Sequence, residues 1–393
     1  MRLDQIQAAL REEGLDGWLF FDHHRRDTLA YRVLQFTPGS MVSRRWYYFV
    51  PAMGDPRGLV HKIEAQTLKE LPGAMATYAA WSAMVDGIRE ILGVAPSHKR
   101  RIAMQYSPNC AIPYVATVDA GTIELVRGLG VEIVSSANLI QQFEAKWSGA
   151  QLESHLEAGR RIDRVRREAF ELIGTKTRAG DRMTECDVKQ FILDRYKEDG
   201  IFIDHGPDVA VNANASNPHY DPKPDACSEI HRGDLVLIDM WGKLDQPESV
   251  YYDITWVAYC GEKPPEKIEK VFTIVRDARD RAIDRVKNAV AAARELRGFE
   301  VDDAAREHIR AAGFGEYFFH RTGHSIGEEI HGTGANMDNL ETHDERRVIP
   351  WTGFSIEPGI YLPEFGVRSE INMFVDEKSA RVTGEIQREL VLI

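Results

Sequence analysis

Four carboxylates in the C-terminal part of this chain stand where a strand would bury them. Asp239 closes the apolar run Leu235-Val236-Leu237-Ile238, and Asp253 sits inside Val250-Tyr251-Tyr252-Asp253-Ile254-Thr255-Trp256. The idea repeats in Phe354-Ser355-Ile356-Glu357-Pro358-Gly359 and again in Val367-Arg368-Ser369-Glu370-Ile371. The two pairs have similar separations, fourteen and thirteen residues. A buried carboxylate is costly unless it meets a cation, a proton or several donors. Taken singly, each reads as a salt-bridged acid at a strand end. If all four converge, two divalent cations are the economical answer, since their four positive charges balance the set.

A histidine segment follows the same chemistry. His320 and His324 are four apart in His320-Arg321-Thr322-Gly323-His324-Ser325-Ile326-Gly327, and His331 comes shortly after. On a helix that spacing would suggest zinc, but Gly323 and Gly327 argue against a helix and no H-E-x-x-H is present. His320 is therefore expected to be structural, and His324 to approach a metal. The same stretch matches G-x-S-x-G, the nucleophile elbow of serine hydrolases, with Ser325 as nucleophile. That motif needs strand, turn and then helix. Gly332 and Gly334 make the following residues poor helix formers, and a triad would have to draw on Asp338 and then His343. A serine hydrolase using Ser325 is thus a remote alternative. Arg232-Gly233-Asp234 reads as a turn before a strand, not as an adhesion motif.

The elements that must position these residues fall into two parts. Up to about residue 147, β-rich runs at Trp18–Phe21, Trp46–Val50, Leu59–His61, Ile102–Gln105 and Val131–Val134 alternate with a helix around 3–13 and others at 82–92 and 117–128. That alternation predicts a small α/β domain, residues 1–147. From Gln151 to Ile173, Leu152, Leu156, Ile162, Val165, Ala169 and Leu172 recur mostly three or four apart. This predicts an amphipathic helix opening a second domain, 148–393, with a solvated basic face. A second long helix is expected from about Pro265 to Leu296. No short-period repeat interrupts either part.

The bulk properties exclude several classes. With 43% hydrophobic and 28% charged residues over 393 positions, the chain can bury ordinary cores and is neither disordered nor collagen-like. A net charge of −12 gives no overall basic footprint for nucleic acid. Cys110, Cys186, Cys227 and Cys260 form no C-x-x-C pair, so they are expected to be reduced thiols. No apolar run reaches membrane-spanning length, and the first residues lack the apolar core of a signal peptide. The expectation is a cytoplasmic protein with no membrane or nucleic-acid partner.

These residues resemble the pita-bread metallopeptidases, in particular the branch of Xaa-Pro dipeptidases (prolidases) and Xaa-Pro aminopeptidases, with creatinase as a non-metal relative. The resemblance implies a creatinase-like α/β N-terminal domain and an α+β pita-bread catalytic domain, covering essentially the whole chain. It places the family's five metal ligands on Asp239, Asp253, His324, Glu357 and Glu370. Asp253 and Glu370 would bridge two metals, Asp239 would bind one, and His324 and Glu357 the other. Oxygen ligands with one imidazole suit Mn²⁺ and accept Co²⁺, Zn²⁺ or Fe²⁺. By the same resemblance a metal-held hydroxide attacks an Xaa-Pro bond, and Glu357 acts as base and then acid. His219 and His331 match two outer histidines that hydrogen-bond the oxyanion or the substrate carbonyl. Arg368 matches an arginine that would orient Glu370 or pair with a substrate carboxylate. A homodimer is implied as well.

The chain departs from the usual prolidase pattern at Trp241, Trp256 and Gly332, and in a longer loop through Gln246-Pro247-Glu248. Trp241 and Trp256 are expected to reshape the substrate pocket. Other enzymes on this scaffold hydrolyse ectoine-type amidines or cleave dimethylsulfoniopropionate, so a non-peptidase metalloenzyme is the second reading. A pita-bread peptide-binding or chaperone module would not need five metal ligands.

Overall fold

A computed structural model describes residues 2–37, 41–94 and 99–393. They fall into two compact units, Met1–Glu144 and Ala145–Ile393. Ala145–Trp147, expected with the first part, belong to the second. There the Trp147 amide donates to Trp351 O (2.6 Å) and its indole to Ile326 O (3.0 Å).

The first unit is built on one six-stranded sheet. Its strands are β1 (Gly17–Asp22), β2 (Trp46–Pro51), β3 (Arg57–His61), β4 (Ala74–Tyr78), β5 (Arg101–Met104) and β6 (Glu132–Ser135), in the order β4-β3-β2-β1-β5-β6. Only β2 runs against its neighbours; the β1–β5, β3–β4 and β5–β6 pairs are parallel. Helices α1 (Leu3–Glu12), α2 (Thr28–Leu34), α3 (Trp81–Leu92), α4 (Ala120–Gly128) and α5 (Ala137–Glu144) complete the unit. Because the sheet is covered on both faces, its central strands read as unbroken apolar runs. Trp18, Phe20 and Tyr48 enter one core while Leu19, Phe21 and Tyr47 enter the other. The strand β4 was not expected. It is an edge strand with three of its five residues exposed, so no apolar pattern marks it.

The second unit opens with α6 (Gly149–Ala179), longer than its apolar stripe suggested. Ser148 and Gln151 form a reciprocal cap at its start, and Gly180 at φ +73° ends it. Next comes α7 (Glu185–Glu198), capped by Thr184 and Asp187. The short strands β7 (Ile201–Phe202) and β8 (Asp208–Val211) pair with β9 (Leu235–Leu244), which forms an antiparallel ladder with β10 (Tyr252–Tyr259). The expected helix to Leu296 ends earlier: α8 (Glu266–Ala291) stops before Ala293 at φ +48°, and a further helix, α9 (Gly298–Ala311), follows beyond Leu296. Leu296 lies buried between them, where its carbonyl accepts from Val348 N (2.8 Å).

After β11 (Ser325–Ile326) and β12 (Thr352–Ile356), the hairpin β13 (Gly359–Leu362) and β14 (Phe365–Arg368) leads into β15 (Ile371–Val375) and β16 (Ala380–Val382). A second sheet has the order β11-β12-β15-β16, and β17 (Val391–Leu392) adds to β10. Alternation on β9 and β10 decides what faces what. Ile238, Met240, Ile254 and Trp256 pack into the core beneath α6, while Leu237 and Val257 enter the core of α8 and α9. Asp239, Asp253 and Thr255 share the parity of the second set, so they point away from α6.

Candidate metal centre

Two antiparallel registers carry the acids to one place. On β9 and β10, Asp239 lies opposite Thr255 and Asp253 opposite Trp241. On β12 and β15 the last pair is Ile356 with Ile371, so Glu357 and Glu370 flank that pair on adjacent chain ends. The two ladders are tied together through Asn372. Its side chain accepts from Asp253 N (2.9 Å) and donates to Asp253 O (2.5 Å).

His324 arrives on the segment before β11. Gly323 is required there, because a Cβ would meet Ser355 O at 2.0 Å. This close approach lets His324 N donate to Ser355 Oγ (3.0 Å) while Ser355 N donates to His324 O (2.9 Å). Nδ1 of His324 lies 3.2 Å from Ser325 O; with the proton assigned to Nδ1, Nε2 is left as a ligand atom. That Nε2 lies 3.4 Å from Asp253 Oδ2 and 3.4 Å from Glu357 Oε1. Ligand atoms of Asp253, His324 and Glu370, all three buried, lie within 4.8 Å of one another.

Asp239 joins through two partners. The Arg368 guanidinium contacts its Oδ2, and Thr255 Oγ1 lies 3.0 Å from its Oδ1 and 2.8 Å from Glu370 Oε2. Thr255 has one proton, so it can donate to only one of these carboxylates at a time. Arg368 was expected to orient Glu370 or to pair with a substrate carboxylate. It grips Asp239 and is linked to Glu370 through Thr255, to which its Nε donates (2.9 Å).

The electrostatics of this cluster call for more cation than the chain supplies. Asp253 and Glu370 are held well above the ordinary carboxylate range, first by burial and then by repulsion among the acids. Glu357 is also raised, mainly by burial, against the pull of His324 and Arg368. Glu370 Oε1 is buried with no hydrogen-bond partner. Four carboxylates around a single guanidinium, one with an orphaned oxygen, fit divalent cations.

The other expected residues divide. His331 sets its ring edge-on to His324 (centroids 4.5 Å, 87°) and keeps a solvent-exposed flank. Its imidazole is pushed down to about 3 by burial and then by the neighbouring charges of His324, Arg321 and His219. His219 is exposed, on the loop between β8 and β9, near His331. His320 is engaged elsewhere, with Nε2 at 2.7 Å from Tyr361 Oη and Nδ1 at 2.7 Å from Arg321 O.

Ser325 is not on an elbow. It lies in β11 with no helix after it, and its Oγ accepts from Gly334 N (3.0 Å). Trp256 cannot shape the pocket, since it faces α6 and stacks on Arg166 (3.4 Å). Trp241 shares the face of Asp239; its indole donates to Asp204 (3.1 Å) and its ring meets His205 at 5.0 Å.

Sequence reasoning missed Thr255, Ser355, Asn372 and Asp208. Thr255 could have been found from its place two residues after Asp253 on one strand face. Asp208 lies opposite Asp239 on β8, and burial followed by the Asp239 charge raises it to about 7. The loop carrying His219 is tied to α7 at two points. Glu185 accepts from Val211 N, Asn214 Nδ2, Tyr220 Oη and Ser228 N. Beside it Cys186 is disulfide-bonded to Cys227, with Cα atoms 5.8 Å apart. The expectation of reduced thiols fails at this pair, because the fold brings together two cysteines separated by 41 positions.

Residues 153–377 match the model of metallopeptidase family M24, which is more than half of the chain. The chain belongs to metallopeptidase family M24. It is thus a peptidase with a pita-bread catalytic domain, preceded by an N-terminal unit. Among M24 relatives, the Xaa-Pro dipeptidase of Pyrococcus furiosus is 36% identical over 163 residues, 41% of this chain and 43% of that one. The aligned stretch is under half of either chain. A probable dipeptidase PepE of Mycobacterium tuberculosis is 26% identical over 353 residues, 88% of this chain and 84% of that one. Among solved structures, a dipeptidase from Pyrococcus horikoshii OT3 superposes with a TM-score of 0.59 at 28% identity, covering 100% of both chains. No helix among the described residues is long and apolar enough to cross a membrane.

Proposed function

We propose that this M24 enzyme is an Xaa-Pro dipeptidase or aminopeptidase with two divalent cations, for which Mn²⁺ best suits the ligand set, on Asp239, Asp253, His324, Glu357 and Glu370. The observation that carries the reading is the convergence of buried Asp253, His324 and Glu370, with Glu357 beside His324 and Asp239 joined to Glu370 through Thr255. Two such cations would supply an ionised water and polarise the scissile carbonyl. Glu357 takes the proton of the attacking water and returns it to the imide nitrogen as the C–N bond breaks. Burial raises this carboxyl above its ordinary value. His331, neutral at working pH, and His219 serve as donors to the developing oxyanion. Arg368 holds Asp239 in its ligating orientation. The proline side of the bond has no N–H to offer, so recognition must rest on ring and carbonyl contacts. We further propose a cytoplasmic homodimer acting on small peptides, with no nucleic-acid or membrane partner; the resemblance and the net charge of −12 support this.

The test is hydrolysis of Ala-Pro, Leu-Pro, an Xaa-Pro-Xaa tripeptide and ectoine by Mn²⁺-loaded protein, with an EDTA control. Metal-dependent release of proline from the dipeptides alone supports the dipeptidase, and tripeptide cleavage moves the enzyme to the aminopeptidase. Two metals per chain with no peptide cleaved would refute the peptide substrate and point to a pocket remade around Trp241.

A further inference from the structure

The face of β9 that carries Asp239 holds one acid more than the metal ligands account for. Asp208, half-buried on β8, lies directly opposite Asp239, and residues so paired send their side chains to the same face. The packing agrees. Ala210, two residues on, enters the core of α8 and α9 with Leu237 and Val257, while Val209 and Val211 pack beneath α6. Asp208 therefore ends a row that runs across the three strands through Asp239 to Thr255.

Among the described residues none donates a hydrogen bond to the Asp208 carboxylate or forms an ion pair with it. The cations near it, Lys189 and Arg368, are committed elsewhere. Lys189 holds Asp221, and Arg368 spends its donors on Asp239, Thr255, Tyr361 and Pro218. Two divalent cations and Arg368 would balance the four ligand carboxylates and an ionised water, which leaves Asp208 as one negative charge in excess. Burial and the Asp239 charge work against its ionised form, an opposition that a cation seated beside it removes.

The neighbouring wall is an indole. Trp241 follows Asp239 by two residues on the same face of β9, opposite Asp253, and is 6% exposed. A Cβ on Gly206, two residues before Asp208, would meet its six-membered ring at 2.3 Å. The indole thus reaches across from β9 to the chain that enters β8, and its N–H, donated to Asp204 (3.1 Å), fixes it there. A charge beside such a wall is poorly screened, which strengthens its hold on an opposite charge.

We propose that Asp208 seats the α-ammonium of the substrate's amino-terminal residue, beside the Trp241 indole. The assignment rests on the Xaa-Pro peptidase reading of the metal centre. In such a peptide the ammonium nitrogen is two bonds from the scissile carbonyl carbon, so its anchor must stand immediately beside the ligands that hold that carbonyl. Paired residues on adjacent strands are about 5 Å apart, and Asp208 is the uncommitted acid in that place.

The test compares Mn²⁺-loaded parent protein with Asp208→Asn and Asp208→Glu. Asparagine is nearly isosteric and relieves the repulsion with Asp239, so Asp208→Asn should melt no lower than the parent and still bind two Mn²⁺ per chain; loss of a metal would make Asp208 part of the metal site and overturn the proposal. In calorimetric titration the parent should bind L-alaninamide about tenfold or more tightly than L-lactamide, which carries a hydroxyl in place of the ammonium. Asp208→Asn should lose that preference and Asp208→Glu should keep part of it. With Ala-Pro as substrate, Asp208→Asn should raise KM by about tenfold with a smaller change in kcat, and the preference for Ala-Pro over lactoyl-proline should fall by about the same factor. A parent without preference for alaninamide, or a preference that survives in Asp208→Asn, would overturn the proposal. Failure to cleave Ala-Pro by a parent that does prefer alaninamide would instead refute the Xaa-Pro reading and leave Asp208 as the anchor of another ammonium-bearing substrate.

Discussion

Replacing Arg368 by methionine isolates the electrostatic argument for the metal centre. Its guanidinium is 3% exposed and contacts Asp239, Thr255 Oγ1 (2.9 Å), Pro218 O (3.2 Å) and Tyr361 Oη (3.3 Å). Methionine fills much of the volume but leaves four crowded carboxylates without that cation. Removing one partner of a buried ion pair costs about 3–5 kcal/mol. For a unit of this size each kcal/mol moves the unfolding temperature by roughly 2–4 °C, so the metal-free variant should melt roughly 6–20 °C lower. Bound Mn²⁺ restores positive charge to the same carboxylates. Metal should therefore stabilise the variant more than the parent, and the gap should narrow when Mn²⁺ is saturating. Scanning calorimetry in EDTA and in Mn²⁺ reads both quantities, with Arg368→Lys as an intermediate that keeps the charge but loses the fork. Equal melting of variant and parent in EDTA, or a gap indifferent to metal, would refute the charge-balance reasoning.

Three further outcomes follow from the same geometry. Asp253 and Glu370 are raised carboxyls, so metal-free protein should lose stability as pH rises from about 4, the unfolded value, through their higher folded values. Mn²⁺ binding should then release protons at pH values below those folded values, and titration heats that are the same in buffers of different ionisation enthalpy would contradict this. Glu357→Gln should lower kcat by roughly 10²–10⁴-fold on Ala-Pro with metal present; a loss under tenfold removes Glu357 as the proton carrier. Glu185→Ala strands three donors, Val211 N, Tyr220 Oη and Ser228 N, while Asn214 Nδ2 keeps Tyr220 Oη and Ser228 Oγ; each unmet group costs about 1–3 kcal/mol if it stays buried. It should loosen the His219 loop and cut kcat/KM by about tenfold while Mn²⁺ affinity holds, and an unchanged kcat/KM would detach that loop from catalysis.

What could be read from the sequence was what strand periodicity writes locally. Asp239 and Asp253 were visible because each interrupts an apolar run on a buried strand, and Glu357 and Glu370 because their runs repeat the motif. The same periodicity could have excluded Trp256. Being one residue from Thr255, it must face the opposite side of β10, and it does so against Arg166. Pairings between distant segments left no such trace. Arg368 is two residues from Glu370, yet its charge partner is Asp239, 129 positions away. The disulfide joins the start of α7 to a loop 41 residues later, and no local spacing signals it. The Thr184–Asp187 cap was a local signal for α7 that went unused, and with α7 found Glu185 would have stood at its first turn.

These missed partners do one kind of work. The proposed ligands lie on two ladders and one glycine-bearing segment, so their convergence depends on groups that fix the ladders relative to each other. Asn372 clamps both backbone groups of Asp253, Ser355 links His324 to Glu357, and Thr255 joins Asp239 to Glu370. None of the three is an acid or an imidazole, so a search for ligand types passes over them. A metal site demands ligand placement to within a few tenths of an ångström, and side-chain hydrogen bonds supply that where strand geometry alone does not. The ligands are therefore the part of such a centre that composition reveals, and the amides and hydroxyls that aim them are the part that only the fold reveals.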